Sequence, residues 1–458
     1  MSALDAHRSR LDALLAELVA SHGIPGAACG VLLDGEMHVA TSGVTNVETG
    51  APVIPGTLFQ LGSITKLYTA TLVMQAHAAG LISLDESVRA QLQEFSVADP
   101  AATIEITPRH LLAHTSGLEG DHLIDTGWNA DALQRYVATL AGLGQIHPTA
   151  AAYSFCNTGY AVIGRMLEVA TGEHFDRVLR RRLARPLGCT ATLTLPQHAL
   201  LHSVAVGHTQ QPGGEPARQP RWSITRSNGP MGGVLAPAAE LLTFAAVHLN
   251  EGRAPDGSAV LAPGDVAAMQ EIEIDSPVPG EAQALGWTER RWGDLVCLGQ
   301  DADTFGQRAV LRVLPERRLA VCVLTNSTAG GAVSQAMLEH VATELAGVPP
   351  EADKVPEAPA PPAEVLAKLT GTYHRLHQRV RVDVDDGGLR MTTEPSGVLQ
   401  ALGVGTSVTT LTPLAGGDLA FGGIDPGTGL REPVVFTGTP GRPATGLYQA
   451  GRLHARVG

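Results

Sequence analysis

Lysine is almost missing from this chain. Its 458 residues hold three, Lys66, Lys354 and Lys368, and arginine supplies nearly all the other positive charge. Acidic residues outnumber basic ones 45 to 32, the formal net charge is -13, and no basic stripe occurs. That balance argues against nucleic acid as a partner and favours solubility. The five cysteines, Cys29, Cys156, Cys189, Cys297 and Cys322, form no CxxC pair and read as buried free thiols. An HExxH segment, a tight His/Cys cluster and a phosphate-cradling glycine loop are all missing, so no metal and no cofactor is expected. No apolar run is long enough to span a membrane. Near the N-terminus Leu11, Leu14, Leu15 and Leu18 fall at helical spacing with charges between them. This is an amphipathic helix and not a signal peptide, so a cytoplasmic protein is expected.

What is present is globular: 44% apolar and 17% charged residues, enough for a large core and two or three domains. Residues 27–43 read as two strands around the hairpin turn Asp34-Gly35. A helix is predicted over 63–79, stopped by Gly80, and Thr107-Pro108 reads as an N-cap with proline at the first helical position. Helical patterns cover 158–172 and 237–250. Strands follow near 293–299, 307–314 and 319–326, the last two joined by Pro315–Arg318, and a final helix near 331–346 ends at Gly347. The first and last segments are expected to pair in one antiparallel sheet with helices between them, an α+β arrangement over residues 1–347. Residues 348–363, VPPEADKVPEAPAPPA, read as a Pro-rich linker. Alternating runs such as Arg379–Val384, with glycine-rich turns, predict a small all-β barrel over 364–458.

The chemistry concentrates at Phe59-Gln60-Leu61-Gly62-Ser63-Ile64-Thr65-Lys66. Ser63 opens the predicted helix, and Lys66 lies one turn further on the same face. A serine hydroxyl needs a nearby base to attack, and a lysine serves once burial lowers its pKa. An arginine-rich chain has placed lysine at position 66, its only one in the first 353 residues. Arginine cannot give up its proton in a protein, so the choice points to a base rather than to a mere charge.

This segment resembles the first motif of the β-lactamase, penicillin-binding-protein and serine esterase superfamily. Leu111-Leu112-Ala113-His114-Thr115-Ser116-Gly117-Leu118 resembles a second landmark of that superfamily, in which His114 and Ser116 read as structural. Gly229-Pro230-Met231-Gly232-Gly233 resembles the glycine-containing wall of its substrate cleft, although an ordinary loop would read the same way. The superfamily's Tyr-x-Asn motif corresponds to Phe155-Cys156-Asn157, so Asn157 matches and the tyrosine is replaced by Phe155. Tyr153, two residues earlier, would point to the same side of an extended segment and could stand in for it, or could be ordinary packing. Cys156 should point away from the cleft. The third motif, Lys-Thr-Gly or His-x-Gly, corresponds to Gln300-Asp301-Ala302, with Gln300 at the basic position. The resemblance implies an oxyanion hole from the backbone N–H groups of Ser63 and Asp303, the usual aid to acyl transfer.

Within the superfamily the chain is most similar to the penicillin-binding-protein-type thioesterases. The similarity rests on Phe155–Gly159, the Asp301–Thr304 segment followed by Phe305-Gly306-Gln307, and the appended β-domain, lipocalin-like in that group. The resemblance implies an α+β catalytic domain with catalytic Ser63, Lys66, Asn157 and Gln300. Phe155, Tyr153, Gly232 and Gly233 would line the substrate cleft. Three readings stay open: a thioesterase or acyltransferase acting on a peptidyl or acyl thioester that a carrier protein could present; a plain hydrolase such as an esterase, D-aminopeptidase or β-lactamase; and a homologue that binds an acyl or peptide ligand without turnover, because Phe155 and Gln300 depart from the motifs. A small-molecule or peptidyl substrate is expected in each, with no nucleic acid and no membrane.

Overall fold

A computed structural model describes residues 4–210, 214–222, 224–349, 355–415, 417, 419–425, 429–439 and 441–457. Its centre is an antiparallel sheet of eight strands in the order Glu36–Gly43, Gly26–Leu33, Leu319–Thr325, Gln307–Leu314, Leu295–Thr304, Thr288–Trp292, Ala282–Gln283 and Ile274–Asp275. The expected pairing of the first and last segments of residues 1–347 in one sheet is present, with Ala27 opposite Thr325 and Leu33 opposite Leu319. Asp34 and Gly35 both adopt positive φ, 49° and 86°, the geometry of a two-residue hairpin turn whose twist matches its strands.

Both faces of this sheet are covered, so its central strands read as unbroken apolar runs. In Leu319–Thr325, Ala320, Cys322 and Leu324 join the large core beneath the helical region. Leu319, Val321 and Val323 face a second core under the Arg8–Ser21 and Gly331–Val341 helices. The helical region hangs on Thr65–Ala78, eleven of whose fourteen residues are buried, and on Asn157–Thr171, which ends at Gly172 in the left-handed conformation. Thr107 caps the Pro108–Leu112 helix: its Oγ1 accepts the His110 N–H, and Pro108 sits in the first turn.

One predicted strand limit is corrected, and one strand was not predicted. The strand expected to end at 299 continues to Thr304, because its polar residues Asp301 and Asp303 are met by Arg312 and Arg308 from the next strand. The charge-rich segment Thr288–Trp292 is also a strand, although the sequence reading passed over it. It pairs with the longer strand only through Leu295–Gly299. Among the described residues, the outer edge of Gln300–Thr304 therefore has no strand partner.

The C-terminal region is a closed barrel of eight antiparallel strands between Gly371 and Val457 around its own core of Leu366, Tyr373, Val380, Phe421 and Phe436. The linker expected at 348–363 lies partly outside the described residues. Of the rest, Glu357 bridges to Leu414 and Ala358 N–H donates to the Pro413 carbonyl, so this stretch runs along the barrel. Ala363 already opens a short helix. We propose that the boundary between the two cores falls within 348–363.

Candidate active site

Ser63 lies in a single tight helical turn, Gly62–Ile64, that leads directly into Thr65–Ala78. Gly62 has φ of +49°, and a Cβ there would come within 3.1 Å of the Ala302 Cβ and 3.0 Å of the Thr304 Cγ2. Glycine is needed on both counts: it permits the left-handed backbone, and it lets the turn sit against the end of the Leu295–Thr304 strand. That contact brings the Asp301–Thr304 segment beside the serine.

Lys66 Nζ stands 3.0 Å from Ser63 Oγ and donates to the Met231 carbonyl, also at 3.0 Å. The side chain is 1% exposed. Burial, reinforced by the Arg452 guanidinium, brings its pKa down to about 7, while the carboxylate of Asp121 opposes the shift. A neutral amine is therefore accessible at ordinary pH, with its nitrogen at hydrogen-bond distance from the hydroxyl.

The segment Gly229–Gly233 is a helical turn and not an open loop. It clamps the helix that carries Lys66. Pro230 O accepts from the Thr69 hydroxyl at 2.7 Å, and Val234 N–H donates to Thr65 Oγ1 at 3.0 Å. Gly232 backs onto Gly62, whose Cα is 3.9 Å from a Cβ built at 232. Gly233 instead packs against the backbone of Gly229. Of the two predicted cleft glycines, then, only Gly232 abuts the serine turn.

Phe155 occupies the position of the missing tyrosine. Its ring centroid is 4.6 Å from Lys66 Nζ, 4.6 Å from the Arg452 guanidinium carbon and 4.6 Å from the centre of the His114 ring. Tyr153 is placed differently: its ring meets His114 edge-on and its carbonyl accepts from the Tyr448 hydroxyl at 2.7 Å. Neither contact involves Ser63 or Lys66. His114, at φ +60°, accepts the Cys156 N–H on Nδ1 at 3.0 Å. Burial, with Lys66 and Arg452 nearby, holds its pKa well below the usual range, so it stays neutral as that bond requires. Ser116 Oγ accepts from Leu118 N–H. Both residues hold the turn, as read from the sequence. Cys156 Sγ accepts the Gly159 N–H at the helix start, and burial raises its thiol to about 11.

Asn157 Nδ2 donates to Asp121 Oδ1 at 2.8 Å. The same buried carboxylate accepts from Arg375 at 2.7 Å and from Arg452 Nε at 2.8 Å, both on Oδ2. Burial alone would raise the pKa of Asp121, but the two guanidiniums and the Asn157 amide hold it far below the carboxylate range. Gln300 is buried on the strand face that carries Ala302, and its amide makes a long 3.4 Å bond to the Asp301 carbonyl. Asp303 turns its carboxylate to Arg308 at 2.7 Å.

Arg375 and Arg452 belong to the barrel. The hairpin turn Ala450-Gly451, with φ of 48° and 70°, reaches the second motif directly: Gly451 O accepts the Phe155 N–H at 2.9 Å. Leu453 N–H donates to Ser154 Oγ at 3.2 Å, and Leu376 N–H to a carboxylate oxygen of Glu119 at 3.0 Å. Met231, Asp121, Arg375 and Arg452 were not singled out from the sequence. The available signals were weak: an acid three residues after the Leu111–Leu118 landmark, and an arginine directly after a glycine.

This arrangement sets a serine hydroxyl at a helix start against a buried amine. The β-lactamase family pattern matches residues 11–346, and the chain belongs to that family. It is 40% identical over 377 residues to penicillin-binding protein 4 of Amycolatopsis lactamdurans, a match covering 80% of this chain and 97% of that protein. It is also similar to the crystal structure of SurE, with 29% identity, a TM-score of 0.77 and coverage of 99% of this chain and all of the other, barrel included. The structure of SurE with D-Leu matches with 28% identity and a TM-score of 0.75, again over 99% of this chain and all of that one. The chain is accordingly a serine hydrolase or acyltransferase of the β-lactamase and penicillin-binding-protein superfamily.

Proposed function

We propose that Ser63 is the nucleophile, Lys66 its base, and that the enzyme moves an acyl or peptidyl group from a thioester to an amine, as a thioesterase or peptide cyclase. The observation that carries this reading is the 3.0 Å contact between Ser63 Oγ and a buried Lys66 Nζ. Neutral Lys66 takes the Ser63 proton as Oγ attacks the thioester carbonyl. The backbone N–H groups of Ser63 and Asp303 hold the oxyanion, and Lys66 returns the proton to the leaving thiolate. The ester on Ser63 then yields to an amine, with Ser63 Oγ as leaving group. The thioester could arrive on a carrier protein. Asn157 and Gln300 act as polar groups beside the substrate, Phe155 and Gly232 as walls of its cleft.

Transfer is favoured over hydrolysis by the surroundings of the lysine. Phe155 presents a ring where the superfamily has a hydroxyl, and the barrel closes over it through Arg452 and Gly451. A water molecule has one fewer partner to orient it there. The non-catalytic alternative has less support, since Ser63 and Lys66 are already within bonding distance.

The test is the product ratio from one peptidyl thioester in the presence of a competing amine. Wild type is expected to give mainly the amide. Phe155→Tyr is expected to raise the hydrolysed share, because the added hydroxyl provides a second group to orient water. A wild-type enzyme that releases only free acid would refute transfer. An unchanged ratio and rate in Phe155→Tyr would show that proton transfer runs through Lys66 alone.

A further inference from the structure

A polar cavity of about 270 Å³ lies between the end of the Leu295–Thr304 strand and the barrel. Asp303, Arg375, Arg452, Asp425 and Glu432 are among its lining residues. It adjoins the site already described: Arg452 sits on the Phe155 ring that also faces Lys66, and Asp303 borders the Ala302–Thr304 contact with Gly62.

The charges in this cavity are unequally satisfied. Both guanidiniums are bound to Asp121. Asp303 is bound to Arg308. Among the described residues the Glu432 carboxylate makes no hydrogen bond or ion pair, although the Glu432 backbone pairs with Gly423 in the barrel. It projects from the barrel strand Arg431–Thr437 and feels Arg308 and Arg452 only at longer range. Among the described residues the acids do not converge on a metal-binding cluster. A carboxylate without a side-chain partner, in a cavity that adjoins the turn carrying Ser63, is complementary to a cationic ligand.

We propose that this cavity is the acyl-acceptor subsite and that it takes the ammonium end of a primary amine, with Glu432 as its counter-charge. The inference rests on the transfer reading above. The steps balance as follows. The acceptor enters as an ammonium and gives one proton to the Glu432 carboxylate. The free amine attacks the ester carbonyl, forming the C–N bond, and the C–O bond to Ser63 breaks. The second amine proton passes through Lys66 to Ser63 Oγ, and Glu432 releases its proton to solvent. Burial and the carboxylates of Asp425 and Asp303 raise the pKa of Glu432 to about 7, which suits it to that exchange.

The experiment loads the full-length enzyme with an acyl thioester and measures the aminolysed fraction of each acyl-enzyme formed, so that loading rate does not enter. Glycinamide serves as the cationic acceptor and ethylene glycol as the neutral one. In Glu432→Gln the glycinamide concentration giving half-maximal transfer is expected to rise about tenfold or more, and Glu432→Lys is expected to show no saturation. Transfer to ethylene glycol is expected to stay within about twofold in both. These ranges correspond to loss of one charge-assisted contact. Wild-type glycinamide dependence in Glu432→Gln would overturn the subsite while leaving acyl transfer intact. Equal losses for both acceptors would also overturn it. Wild-type enzyme that acylates Ser63 but transfers to neither acceptor would refute the transfer reading and the subsite together.

Discussion

Replacing Lys66 by arginine is expected to slow acylation of Ser63 by about 10²- to 10⁴-fold, nearly as far as Lys66→Ala. Arginine keeps the positive charge but stays protonated, so it cannot take the serine proton. The wild-type side chain can, because burial and then Arg452 bring its pKa down to about 7. The sign of the pH dependence follows. The active form is the neutral amine, so the acylation rate should climb as pH rises through about 7 and level off above it. Removing a neighbouring positive charge works the other way. Arg452→Gln is expected to move that limb to higher pH, since one of the causes lowering the lysine is lost. Acylation by an activated ester, followed by intact mass across the pH range, measures all of these. A Lys66→Arg enzyme with near-normal turnover, or a wild-type limb absent between about pH 6 and 8, would remove Lys66 from the role of base.

Asp121→Ala is expected to destabilise the protein by about 3–5 kcal/mol, the range for stripping a buried charge network of one partner. Asp121 is almost fully buried and receives Arg375, Arg452 and Asn157. Without it, two guanidiniums are left close together without the carboxylate that binds both. Because the carboxylate pKa is held below its unfolded value, its stabilisation is fully present above about pH 4 and is lost as pH falls below that. The variant should therefore differ most from wild type near neutrality, and the difference should narrow as pH falls below about 4. Denaturant unfolding at about pH 7 and about pH 3 measures both points. A loss below about 1 kcal/mol near neutral pH would mean that Asp121 contributes no more than an exposed pair.

What the sequence disclosed and what it withheld follow the range of the interactions. The Asp34-Gly35 turn, the Thr107 cap, the stop at Gly347 and the Ser63–Lys66 spacing are settled within a few residues, and each was legible. The Gln300–Thr304 extension was not. Its acids look out of place in a strand until Arg308 and Arg312 appear opposite them. The same holds for Thr288–Trp292, where Arg290 is matched by Glu281 nine residues earlier. Asp121 and Arg452 are 331 residues apart in the chain, and nothing near either one announces the other. Tyr153 was legible as a residue facing the site's side of an extended segment, but not as a support for the barrel. Its neighbour Tyr448 is 295 positions away.

The Ala450-Gly451 turn is also among the last parts of the site to be synthesised. Ser63 and Lys66 leave the ribosome early, and the sheet strand that closes the first core is complete by Thr325. The Phe155 backbone still lacks its acceptor at that moment, and Asp121 lacks both arginines. Contacts of such long sequence separation form late in folding. Nascent chains are therefore without a finished site until residues 448–453 emerge and dock. A chain cut just before Tyr448 keeps the serine and its lysine, yet loses Gly451, Arg452 and the hydroxyl that holds Tyr153. Phe155 and Asp121 reach their finished arrangement only in molecules whose barrel has already closed.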